Sequence, residues 1–196
     1  VSLTLPAPAQ ETDNHPQIAG ADELRKVFRR HAASVAVITT THQGAPVGLL
    51  VTSLASVSAS PPLISFNVAH TSSSWPALAG AEHIGVHVLG ADQEDLAERF
   101  ARKGADRFAG PTSWQAGPHG IPLIDGVAAW AVAVVEQRVQ AGGHAIVVAR
   151  LLYADARDEA TPLVHHDGEY RQVTSPSPRP APRPAASRLT VIRTEG

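Results

Sequence analysis

The chain has 196 residues, 43% of them hydrophobic, with no cysteine, a formal net charge of -2 and a pI near 6.6. That length and apolar content supply one core and exclude two full domains once the terminal segments are set aside. The balanced charge gives no footprint for nucleic acid, no apolar run approaches the ~20 residues of a membrane span, and the missing cysteines exclude a disulfide framework, a thiol nucleophile and a cysteine metal site. The expected partner is a small molecule or another protein, and the expected location is the cytoplasm. No basic-then-apolar secretory segment opens the sequence. Basic charge is almost entirely Arg, with Lys26 and Lys103 as the lysines, which points with the abundant Ala, Pro and Gly to a GC-rich bacterial genome and, at Val1, to a non-ATG start.

Residues 1–20 carry prolines and polar residues without a period and are expected to form a flexible arm. From Asp22, read as an N-cap, Leu24, Val27, Phe28 and His31 recur at helical spacing and predict a short amphipathic helix. Ser34 to Thr41 is a β-branched strand joined through His42-Gln43-Gly44-Ala45 to a second strand, a hairpin. Val47 to Ser58 and Leu63 to Val68 read as two β segments split by Ser60-Pro61-Pro62, since proline cannot donate to a ladder.

Thr71-Ser72-Ser73-Ser74-Trp75-Pro76 then reads as a helix start, with Ser74 or Trp75 as cap and Pro76 at the first helical position. Amides and serine hydroxyls at such a start suit either an ordinary cap or an anion site for a phosphate. His83 to Leu89 alternates as a half-buried strand. His83 and His87 carry no shared metal in this reading, because four strand residues span ~13 Å. Asp92 is read as the cap of the next helix, whose Arg99, Arg102 and Lys103 either complement the helix dipole or reach a ligand phosphate.

Gly104 to Ile124 is a long glycine- and proline-marked loop, of the kind that often binds or covers a ligand. Val127 to Val139 and His144 to Tyr153 form a hairpin around Gln140-Ala141-Gly142-Gly143. Leu163 to Val173 is a last short strand. Residues 174–196, which run SPSPRPAPRP beyond Thr174, are expected to be a disordered Pro/Arg-rich tail. About seven strands with two or three peripheral helices and no β-helix-β rhythm predict a mainly β, antiparallel barrel or Greek-key fold over residues 21–173. The G-x-G-x-x-G turn of dinucleotide-binding α/β domains is missing.

The order of these parts resembles the short-chain flavin reductases with the FMN-binding split-barrel fold, the reductase components of two-component flavin-dependent monooxygenases. The resemblance rests on Phe28-Arg29, Val35 to Thr40, Pro46-Val47-Gly48, Ser53, Ser56-Val57-Ser58 and Pro61-Pro62-Leu63. It continues through Ser72, Ser74, Pro76-Ala77-Leu78, Asp106-Arg107-Phe108-Ala109-Gly110, Gly143-His144 and His166-x-Gly168-x-Tyr170. It implies an antiparallel Greek-key split β-barrel that works as a homodimer and binds FMN or FAD, with NADH or NADPH as hydride donor. By the same resemblance Val51, Thr52 and Ser53, with Asn67, Val68 and Ala69, line the flavin ring and ribityl chain. Ser72, Ser73 and Ser74 hold the phosphate, Lys103 or Arg102 adds a cation, and Phe108 packs near the flavin. His144, the candidate catalytic residue, and Tyr170 lie toward the nicotinamide.

The chain departs from the family pattern at Leu50, Thr52 and Leu54, where Thr, Asn and Phe are usual, and at Gly143, where the usual Gly-Asp-His has its carboxylate. The implied function is NAD(P)H-dependent flavin reduction that supplies diffusible reduced flavin to a partner monooxygenase. The alternative is an FMN-binding carrier or sensor without efficient nicotinamide turnover, motivated by Gly143. A third reading, an oxidase related to the pyridoxamine-phosphate oxidases, ranks below both.

Overall fold

A computed structural model describes residues 19–174 of the chain. All of the expected tail but Thr174, and all of the expected arm but its last two residues, lie outside the described residues. In chain order the elements are α1 (Ala21–Phe28), β1 (Ala33–Ser34), β2 (Ala36–His42), β3 (Ala45–Val51), β4 (Ala55–Ala59), β5 (Pro62–Ala69), α2 (Trp75–Gly80), β6 (His83–Val88) and α3 (Glu94–Ala101). There follow β7 (Trp114–Ala116), a 3-10 turn (Pro118–Gly120), β8 (Pro122–Ile124), β9 (Ala129–Ala141), β10 (His144–Ala156), β11 (Leu163–His166) and β12 (Glu169–Gln172).

The main sheet has seven strands in the order β3-β2-β6-β9-β10-β5-β4, every pair antiparallel. Its two ends share one core. Leu49 and Val51 from β3, and Phe66 and Val68 from β5, pack in the same buried cluster as Ile38, Ile84, Ala133 and Val147. Strands that far apart in a sheet meet only when the sheet curls on itself, so the inner cluster is a barrel interior. The period of two explains the second core: Ala36 and Ile38 of β2 point inward, while Val35 and Val37 point outward to join Leu89, Ala97, Phe100, Ile124, Val127 and Leu163. The outer cluster is roofed by α3, by residues 104–126 and by the β1-β11-β12 sheet.

Several expected boundaries move. Gly20, not Asp22, caps α1, and the Glu23 carboxylate accepts the Gly20 N–H at 3.0 Å; Asp22 is occupied by Arg25 at 2.6 Å. Gln93, not Asp92, precedes α3, because its side-chain oxygen accepts the Gly90 N–H at 2.9 Å and fixes the turn. The segment Val47 to Ser58 breaks at Thr52–Leu54, where the Ser53 hydroxyl takes the Asn67 N–H at 2.9 Å in place of a strand partner. The 104–124 loop contains the β7-β8 pair, latched to the barrel by Thr39 Oγ1 donating to the Pro122 carbonyl at 2.7 Å and Thr41 Oγ1 donating to that of Gly120 at 3.0 Å. Leu163 to Val173 is a hairpin rather than one strand, turned at Asp167-Gly168.

Candidate functional site

The stretch singled out from the sequence is tied together around Gly48. A side chain there would place its Cβ 2.8 Å from the Phe100 ring, 3.1 Å from the Ile38 carbonyl oxygen and 3.2 Å from the Phe108 ring, so glycine is required by close approach. The Gly48 carbonyl accepts from Ser74 Oγ at 2.8 Å and from Arg107 Nη1 at 2.8 Å, and the same Nη1 lies 3.0 Å from Ser74 Oγ. Arg107 and Phe108 therefore sit side by side on one glycine, the guanidinium on its carbonyl and the ring on its Cα. Asp106 makes this possible by accepting the Phe108 and Ala109 amides at 3.2 and 3.1 Å, a tight Asx turn. Phe108 is held edge to face between Phe100 and Trp114, with ring centroids 5.4 and 5.7 Å away.

The helix-start reasoning about Ser72–Ser74 needs correction. α2 begins at Trp75 with Ser74 as its cap, and Pro76 takes the second helical position rather than the first. Ser74 is 1% exposed, and its hydroxyl is spent on Gly48 rather than turned to solvent. The amides of Ser72, Ser74 and Trp75 bond within the turn, to Ala69 O, Ser72 Oγ and Ser72 O. What remains open to a ligand is the exposed Ser73 and the half-buried Ser72. Arg138 braces the far end of α2, donating from Nε to the Leu78 carbonyl at 3.0 Å and from Nη2 to that of Ala81. His70 packs tilted against Trp75, with ring centroids 5.1 Å apart, and its Nε2 is buried without a partner.

Positive charge beside this turn comes from a residue that sequence reasoning quoted but did not assign. Arg107 has a buried, unpartnered Nε and no ion-pair partner among the described residues, and burial lowers its pKa. A cation placed that way fits an anionic group such as a flavin phosphate. Nothing local marks it: Arg107 reaches Gly48 across 59 residues of sequence. Lys103 and Arg102 are exposed in the turn after α3, and Arg99 is engaged with the Ala109 carbonyl at 3.2 Å and Thr112 at 3.4 Å.

The structure brings Thr52, Ser53, Asn67, Val68, Ala69 and His144 to neighbouring positions. Ser53 binds Asn67 on β5, and β5 pairs with β10 so that Asn67 faces Ile146, Val68 faces Ala145 and Ala69 faces His144. Alternation splits them: Val51 and Val68 are buried in the barrel, whereas Thr52, Asn67 and His144 are exposed. His70 N–H donates to the Gly143 carbonyl at 3.0 Å, which ties the serine turn to the β9-β10 turn. Tyr170 is not with His144. It packs on the outer cluster, where burial and then Glu98 and Glu94 of α3 raise its pKa. Phe108 packs on that same cluster.

His83 and His87 both lie on β6, four residues apart on one face, and have separate surroundings. His83 stacks on His119 at 3.9 Å, while His87 is wholly buried. A mostly apolar recess of about 510 Å³, lined by Leu54, Ile64, Val86, Trp130 and Leu151 among others, reaches this region through Leu54.

The curled antiparallel sheet is the split-barrel architecture that the sequence resemblance implied. A flavin reductase like domain matches residues 28–174, and the chain belongs to that family. It is 39% identical over 176 residues to an NADH:FMN oxidoreductase of Rhodococcus qingshengii, covering 83% of this chain and 92% of that protein. It is 32% identical to the reductase subunit of a flavin-dependent monooxygenase of Rhodococcus jostii, over 81% of each. Among solved structures, a flavin reductase domain protein of Arthrobacter is 42% identical with a TM-score of 0.75, covering 80% of this chain and 97% of that one. An NADH:FAD oxidoreductase of Streptomyces globisporus, solved with NAD and FAD fragments, is 27% identical with a TM-score of 0.75, covering 81% and 98%.

Proposed function

We propose that this chain is an NAD(P)H:flavin oxidoreductase that reduces FMN or FAD and supplies the reduced flavin to a partner monooxygenase. The observation that carries this reading is its 39% identity, over 92% of the relative's length, to a protein named an NADH:FMN oxidoreductase. When bound, the flavin and nicotinamide supply the hydride chemistry, so the chain needs no nucleophile or strong acid of its own. Its task is to hold two planar rings in near-attack geometry.

Thr52, Ser53 and Asn67 offer polar edges to the flavin ring and ribityl chain along the β3–β5 junction, with Val51, Val68 and Ala69 forming the backbone wall behind them. Ser72 and Ser73 offer hydroxyls to its phosphate, and Arg107, fixed through Gly48 and Ser74, supplies the cation that Lys103 or Arg102 was expected to give. Ser74 contributes by holding Arg107. Phe108, wedged against Gly48, limits water at this end. His144 orients the nicotinamide from the β10 rim. Tyr170 reaches such a site only from a second copy, which agrees with a homodimer, and the acting domain is residues 21–173, in a bacterial cytoplasm.

Purified protein should oxidise NADH or NADPH in the presence of FMN or FAD, followed by absorbance. No turnover with either flavin would overturn the proposal.

A further inference from the structure

β9 outruns the strand beside it. β6 pairs with it from Ala129 to Val134, and the Val135 N–H still donates to the Glu82 carbonyl at 2.8 Å. Beyond that point β9 has no strand on this edge among the described residues, and residues 136–141 are exposed except for the half-buried Arg138. On its other edge β9 stays paired with β10 up to the turn, and β10 with β5, where His144 faces Ala69. The His70 N–H adds one bond to the Gly143 carbonyl at 3.0 Å. The ribbon that ends in His144 is thus held along one side, and a ribbon held along one side can roll about it.

Arg138 closes the open side. Its Nε donates to the Leu78 carbonyl at 3.0 Å and its Nη2 to that of Ala81, at the end of α2. The guanidinium is a planar, rigid fork, so two bonds fix direction as well as distance, and the last carbonyls of a helix favour a cation. Burial lowers the Arg138 pKa, as expected for a charge drawn partly out of water to make this contact.

The helix that Arg138 grips is itself fixed. Ala77 and Leu78 are buried, and the hydroxyl of the capping Ser74 donates at 2.8 Å to the Gly48 carbonyl, the same oxygen that takes Arg107. α2 therefore runs as a strut from the serine turn to the open edge of β9.

We propose that Arg138 is a positioning residue for the hydride donor: through α2 it fixes the β9-β10 ribbon, and His144 with it, against the flavin-phosphate turn. This rests on the oxidoreductase reading and on the places that reading gives to His144, Ser72 and Ser73. Arg138 bonds to neither His144 nor the serine hydroxyls; it sets where the strand carries the histidine. The serine turn closes on itself, with the Ser72 N–H on the Ala69 carbonyl at 2.9 Å and the Trp75 N–H on that of Ser72 at 3.0 Å, so flavin affinity does not depend on Arg138. Donor placement does, because two stacked rings tolerate little misalignment.

A double-variant cycle tests this, with steady-state NADH or NADPH oxidation for the donor and fluorescence quenching for the flavin. Arg138→Ala should raise the KM for the donor severalfold and keep flavin affinity within ~2-fold of wild type. In the His144→Ala background it should add less than ~2-fold, because it acts through that histidine. Arg138→Lys keeps the charge but not the fork and should recover only part of the loss; where Arg138→Ala fails to fold, it takes its place in the cycle. An unchanged KM in Arg138→Ala or His144→Ala overturns the inference, as do losses that multiply in the double variant. A parallel fall in flavin affinity also overturns it and makes Arg138 a brace of the serine turn. In each of these cases wild-type turnover leaves the oxidoreductase reading standing. A wild-type protein that oxidises neither donor with either flavin overturns both.

Discussion

The side of the sheet roofed by α3 and residues 104–126 is packed shut, whereas the rim where β5 meets β10 lies open, and two histidines mark the contrast. His87, beneath the roof, is wholly buried; its Nδ1 lies 3.1 Å from the Val37 carbonyl, which only accepts, so the neutral ring carries its proton there and Nε2 stays buried and unpartnered. His144, on the rim, is exposed and follows a glycine with nothing within 4 Å of a would-be Cβ. Arg107 and Phe108 belong to the packed side and are fixed before any ligand arrives. The rim offers a histidine that no side chain orients. The scaffold thus prebuilds the flavin half of the proposed site and leaves the hydride-donor half to be completed by the donor itself.

The largest test of this contrast is the pH dependence of stability. Burial lowers the His87 pKa from 6.5 to about 4, with the Val37 hydrogen bond opposing only in part. The unfolded chain therefore takes up this proton at a higher pH than the folded one. Stability from a neutral His87 is fully present above about pH 6.5 and is lost as pH falls to about 4, by roughly 3 kcal/mol in all. Denaturant unfolding across that range should show the loss in the wild type and a flatter profile in His87→Leu. Equal slopes would mean that His87 is solvated in solution and that the roof is open.

Arg107→Ala should come next. It strips the Gly48 carbonyl and Ser74 hydroxyl of a charged donor, a loss of about 1.5–3 kcal/mol where such groups are buried. Flavin affinity, read by fluorescence quenching, should fall ~10-fold or more as the cation is removed. Arg107→Lys should recover part of the affinity. A fall in melting temperature with unchanged flavin affinity would reduce Arg107 to a brace.

His144→Ala probes the open side. No packing depends on this side chain, so stability should stay within ~0.5 kcal/mol of wild type. The KM for NADH or NADPH should rise severalfold while flavin affinity holds. A matching loss in flavin affinity would place His144 on the flavin instead.

The same contrast explains what was legible in the sequence. Strands were legible wherever alternation carried both cores, as in Val35 to Ile38, because the period of two is written in adjacent residues. The break at Thr52–Leu54 was not, since it depends on Ser53 meeting Asn67 across the barrel. At the site, Asn67 and His144 came together because strand register follows from pattern. Arg107 was left unassigned because a loop arginine gains meaning only from Gly48, 59 residues away, and the bond of the Ser74 hydroxyl to that same carbonyl is likewise remote in sequence.

The smallest effect belongs to Gly143→Asp, which restores the carboxylate usual beside this histidine. The β9-β10 turn places its left-handed residue at Gly142, with φ +58°, so the need for glycine falls there and not at Gly143. An aspartate at 143 therefore fits without strain, and stability should change by less than ~0.5 kcal/mol, whereas Gly142→Asp should cost ~1 kcal/mol or more. Beside an exposed imidazole, the new carboxylate can fix its orientation and favour its charged form. If the open rim limits donor binding, the KM for NADH or NADPH should drop a fewfold with kcat nearly unchanged. An unchanged KM would show that the rim is open because the donor needs no fixed histidine, which would move the determinant of donor binding to Tyr170 or to the second copy.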